Sequence, residues 1–169
     1  MIKIIGAKGK IDDVDEILNK VNKYSSENNL IIQVFNAELI FGKNHIISAV
    51  QHARRAIELK TNTTNSFKME ILLYASGERQ LKLAIPKMGV KKGEINIVFV
   101  LINDNGKITK KMTDDFILIT TLIQDNSVIE GNENTLKKFG IDKREIETVM
   151  KTKYEDLILE KVAMVDVIK

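Results

Sequence analysis

Apolar positions along this chain switch between the spacing of strands and that of helices. Met1-Ile2-Lys3-Ile4-Ile5 reads as a strand, and the glycine-spaced Gly6-Ala7-Lys8-Gly9-Lys10 behind it reads as a turn. Asp13 followed three residues later by Glu16 is a helix start signal, and Val14, Ile17, Leu18 and Val21 recur at the spacing of one helical face. Asn28 and Asn29 end that helix, and the run Leu30–Phe35 is expected to be a second, buried strand. A longer helix is predicted from about Lys43 to Leu59, a loop over Thr61–Asn65, and another helical period through Phe67, Ile71, Leu72 and Ala75. A third helical stretch, Glu78–Met88, stops at Gly89, a residue suited to a left-handed cap. Glu94–Ile102 has the composition of a strand, with the turn Asn103-Asp104-Asn105-Gly106 behind it as the tip of a possible hairpin. Phe116–Ile123, rich in Ile and Thr, fits helix and strand alike. Asn134–Phe139 ends at Gly140, Asp142 with Glu145 opens a short helix, and Thr152 with Glu155 opens the last one.

Strands separated by helices predict an α/β fold: a single domain spanning residues 1–169, with a mixed, largely antiparallel sheet packed by several helices. A length of 169 residues with 44% hydrophobic positions suffices for one sizeable core. The formal charge of +3 permits an acidic partner locally but is far from the basic excess of a protein that coats nucleic acid. The sequence has no cysteine, so disulfides, thiolate metal sites and cysteine nucleophiles are excluded. The opening residues are too short for a signal peptide and no apolar stretch approaches the ~20 residues of a membrane span, so a cytoplasmic protein is expected.

The predicted helix after Gly42 carries the most legible surface. At 100° per residue, Ile46, Ala49, Val50, Ala53, Ala56 and Ile57 form an apolar stripe, while His45, Ser48, His52 and Arg55 form a polar stripe roughly 80° wide beside it. Taken alone, that stripe is first a solvated face with one histidine satisfied by the backbone. Histidine and arginine at this spacing can also stack on bases or donate to phosphate, as a single-stranded nucleic acid requires. The two histidines stand two turns apart, which rules out the i, i+4 pairing of a helical metal site. The glycines of Gly6–Lys10 lack the spacing of a phosphate loop, and the scattered carboxylates form no acid/base pair. The pattern therefore offers no catalytic set, no cofactor site and no metal site.

Two further segments stand out. Tyr74-Ala75-Ser76-Gly77-Glu78-Arg79-Gln80 places a glycine, an acid, a guanidinium and an amide between two apolar segments, where backbone and side-chain donors meet at a helix end. From Leu157 to Ile168 apolar residues lie nearly all round a helical wheel, more than one core face consumes. That helix is sandwiched inside the fold, or turns to strand near Val162, or docks a partner protein.

The segments Asn36–Ala53, Glu70–Leu81, Lys137–Ile141 and Leu157–Val167, in this order, resemble the small kinase-binding subunit of the KEOPS complex, also called the PRPK-binding protein family. The resemblance spans about Leu30 to Val167, and its middle two stretches are the most specific. It implies a non-catalytic accessory subunit of the machinery that installs threonylcarbamoyladenosine next to the anticodon of tRNAs reading A-starting codons. Such a subunit binds and stimulates the small atypical kinase/ATPase of the complex and helps hold tRNA by its 3′ CCA tail. A separate catalytic subunit performs the threonylcarbamoyl transfer, and no DNA or membrane partner is expected. On this resemblance Asn44, His45, Ser48, His52, Arg55, Ser76, Gly77, Arg79 and Gln80 are expected to form a groove for the tRNA tail. Leu157, Val162, Met164 and Val165 are expected to meet the kinase. The alternative is a purely structural interaction subunit without RNA binding.

Overall fold

The computed structural model describes residues 1–168, and of Glu94 the backbone. Among the described residues the chain forms a four-stranded antiparallel sheet and eight α-helices, so the expected α/β class holds. They group into two compact units, each built from two stretches of chain. One comprises Met1–Ala37 with Val90–Val128, the other Glu38–Gly89 with the chain from Ile129 onward.

The first unit holds the whole sheet: β1 (Ile2–Ile11), β2 (Ile31–Asn36), β3 (Gly93–Ile102) and β4 (Ile123–Gln124), in the order β2-β3-β1-β4. Both β1 and β2 run antiparallel to β3, with Ile5 and Val34 each opposite Phe99, so β1 and β2 are mutually parallel and joined by helix α1 (Val14–Glu27). Alternation puts Ile5, Ala7 and Ile11, Ile32 and Val34, and Ile97, Phe99 and Leu101 on one face. Ile17, Val21 and Tyr24 of α1 and Phe116 of α5 (Lys110–Thr120) cover that face. Asp13 caps α1 by accepting the backbone N–H groups of Asp15 and Glu16, as its spacing to Glu16 predicts.

Two sequence expectations are corrected in this unit. Gly6–Lys10 is not a turn but the second half of β1, and its glycines answer to close neighbours. A side chain at Gly6 would reach within 2.5 Å of the Asp125 carbonyl, and the bare backbone instead exchanges hydrogen bonds with Asp125 and Asn126. The chain after β3 does not fold back as a hairpin, because Asn103 accepts the N–H of Asn105 in a local turn that leads into α5. The ambiguous stretch from Phe116 is both things in succession, the end of α5 and then β4.

The second unit is helical: α2 (Gly42–Glu58), α3 (Phe67–Ser76), α4 (Leu81–Met88), α6 (Glu133–Phe139), α7 (Lys143–Glu147) and α8 (Tyr154–Ile168). Ser66 caps α3, an Asn132–Thr135 capping box opens α6, and Asp142 caps α7. The α3 helix ends on Gly77 and α6 on Gly140, both left-handed as helix-ending glycines favour. Gly89, expected to be left-handed, has φ −68°; it is small because a Cβ there would lie 2.5 Å from the Ile85 carbonyl. A short 3-10 turn, Lys151–Lys153, occupies the predicted start at Thr152, and α8 begins at Tyr154.

Candidate functional site

Helix α8 organises the second unit, packing against α2, α3, α6 and α7. A helix with neighbours on several sides is apolar nearly all round, which accounts for the surplus seen in the sequence. Leu157, Val162 and Val165, expected at a partner interface, are buried inside the unit. That part of the kinase expectation is corrected: their apolar surface is consumed by the core. Met164 is 40% exposed and Val167, which the sequence reading did not single out, is 73% exposed.

The polar stripe of α2 divides in the same way. His45 is fully buried; its Nδ1 accepts the N–H of Phe41, and its Nε2–H donates to the Ala75 carbonyl at 2.8 Å. Ser76 is likewise enclosed and donates to the Leu73 carbonyl. Both side chains are satisfied within the core, so neither offers an atom to a ligand here, a second correction to the expected groove. Asn44 is exposed and donates to Glu155 at the start of α8. Ser48 is half-buried, one turn before His52.

His52 and Arg55 converge on Asp166 of α8. His52 Nδ1 lies 2.7 Å and Arg55 Nη2 3.1 Å from the same carboxylate oxygen, while the Tyr74 hydroxyl donates to the other. Arg55 Nη2 also lies 2.7 Å from His52 Nδ1, so the guanidinium touches both the ring and the carboxylate. Burial alone raises the Asp166 carboxyl, but the bonds from Tyr74, His52 and Arg55 outweigh it and hold the group below its ordinary value. Burial first, and then donation to Asp166, keep the Tyr74 hydroxyl protonated well above the usual phenol range. The His52 and Tyr74 rings lie 5.4 Å apart.

The turn after α3 meets α8 beside this cluster. Gly77 has φ +68°, a conformation that disfavours a side chain, and a Cβ there would meet Lys161 and Phe139 at an ordinary contact distance of 3.5 Å. Lys87 of α4 pins the turn, donating to the Ser76 carbonyl at 2.7 Å and to Glu78 at 3.0 Å while its ammonium sits 4.1 Å from the Phe139 ring centroid. Arg79 and Gln80 project into solvent, and the Arg79 guanidinium donates to the Ile168 carbonyl at the end of α8. The structure thus gathers Arg55, His52 and Arg79 at one end of α8 and leaves Asn44 at the other. Tyr74, Lys87 and Asp166 were not singled out as site residues in the sequence. The only hint was that Asp166 is an acid inside an otherwise apolar stretch, Val162–Ile168.

Among the described residues no three His, Cys, Asp or Glu side chains gather where they could hold a metal ion. No described helix is long and apolar enough to cross a membrane.

A helical unit with an exposed apolar edge and a cluster of basic side chains has the features of a binding protein. Comparison with known proteins agrees. The kinase binding protein CGI-121 family matches residues 10–166. The regulatory protein Cgi121 of Methanocaldococcus jannaschii is 31% identical over 144 residues, 83% of this chain and 86% of that relative. The chain belongs to the CGI-121 family of kinase-binding regulatory proteins.

Proposed function

We propose that this chain is a non-catalytic, cytoplasmic accessory subunit of the KEOPS complex in tRNA threonylcarbamoyladenosine modification. It docks the small atypical kinase/ATPase, stimulates it, and presents tRNA held by its 3′ CCA tail to the catalytic subunit. The observation that carries the tRNA part is the convergence of Arg55, His52 and Arg79 on the last turn of α8, with Gln80 adjacent in sequence and Ser48 one helical turn away. Two guanidinium groups can pair with phosphates, and an imidazole and an amide can engage bases, the combination a single-stranded end requires. The surrounding charge agrees. The second unit has sixteen Lys and Arg against thirteen Asp and Glu, whereas the first has ten of each. The kinase meets Met164 and Val167, the apolar side chains that the last turns of α8 expose.

Replacing Arg79 with Ala tests the assignment. Its side chain is exposed, so the variant keeps its fold, and loss of one charge-assisted phosphate contact weakens binding of CCA-ended tRNA roughly tenfold in a filter-binding titration with the kinase present. Unchanged affinity removes Arg79 from the site.

A further inference from the structure

Both arginines proposed to face the tRNA tail are already engaged, and one turn of α8 engages both. Arg55 is held by the Asp166 carboxylate and Arg79 by the Ile168 carbonyl, where the negative end of the helix dipole favours a cation. Asp166 is itself fixed, by the Tyr74 hydroxyl and by His52, so its charge stays where a phosphate paired with Arg55 would otherwise sit. The same turn presents Met164 and Val167 to solvent on the side away from Asp166, since residues three apart share a helix face and Val165 points into the core. Arg55 keeps 57% of its side chain exposed and Asp166 35%. A half-solvated pair of this kind is weak enough for a partner to open.

We infer that the last turn of α8 is an autoinhibitory latch. In the free protein Asp166 and the Ile168 carbonyl occupy Arg55 and Arg79; a kinase docking on Met164 and Val167 displaces the turn and frees both guanidinium groups for tRNA phosphates. The latch rests on the function proposed above and adds its regulation: kinase and tRNA bind with positive coupling, transmitted through α8.

The test is affinity for a CCA-ended tRNA transcript, measured for the unmodified protein and for Asp166→Asn, each with and without the kinase. Asp166→Asn keeps the shape of the side chain and removes its charge. The isolated variant binds roughly fivefold tighter than the unmodified chain, the factor a half-exposed ion pair carries. Adding kinase then strengthens the unmodified chain by more than it strengthens the variant. Equal or weaker binding by Asp166→Asn, or the same gain from kinase in both, overturns the latch while leaving the proposed function standing. Absence of tRNA binding by every form, kinase included, overturns both. Tyr74→Phe, which removes only the hydroxyl holding Asp166, guards against a misfolded Asp166→Asn: it raises affinity in the same direction by a smaller factor, and a folded Tyr74→Phe that binds no tighter also overturns the latch.

Discussion

At the scale of single residues, His45 separates structural from ligand-facing chemistry. Its burial, reinforced by the nearby Lys87 charge and opposed by the bond to Ala75, holds the imidazole well below its ordinary range, at about 4. The folded state therefore keeps this ring neutral while the unfolded chain takes up a proton below its ordinary value of about 6.5. The resulting stability is present above pH ~6.5 and is lost as pH falls from there toward ~4, roughly 3 kcal/mol in all. Thermal unfolding should show a midpoint that drops across this interval. His45→Gln should start from a lower midpoint, because Phe41 N–H and Ala75 C=O lose their shaped partner, but should fall less steeply. An equal slope in the two proteins would place the titration elsewhere. His52, seven residues along the same helix, shares the residue type but keeps a partly exposed ring on Asp166.

At the scale of elements, local signals were legible and contacts between distant segments were not. Asp13, Asp142 and the glycine at 140 mark helix ends through hydrogen bonds and φ angles that depend only on neighbours in sequence, and the structure has them where the pattern put them. The glycines of β1 misled because they answer to Asp125 and Leu122, more than a hundred residues away. The α2 stripe was legible as a face, but His45 lies at its buried margin, where a few tens of degrees decide between core and solvent. Helix α8 was the hardest, because an all-round apolar pattern fits enclosure and docking equally until its neighbours are known. The structure divides it: Val162 is fully buried and Met164 is not. Met164→Glu should therefore abolish co-purification with the kinase while circular dichroism and the unfolding midpoint stay close to those of the unmodified protein. Val162→Ala should instead cost about 2 kcal/mol of stability through the cavity it leaves. An unfolded Met164→Glu protein would return that residue to the core and move the kinase interface elsewhere.

At the scale of the whole molecule, the sheet unit carries no net formal charge and the helical unit carries all of the +3. A formal charge of this size permits an acidic partner at one place and is far from the basic excess of a protein that coats nucleic acid, which fits the proposed role of holding one end of a tRNA. Membership of the kinase-binding CGI-121 family supplies the second partner. A gel shift comparing intact tRNA with the same tRNA lacking its 3′ CCA, in the presence of the kinase, tests whether recognition runs through the single-stranded end. Affinity that falls at least tenfold when the tail is removed, and that Arg79→Ala lowers only for the intact tRNA, is the result expected here. Equal affinity for the two tRNAs, or binding of neither, would contradict it.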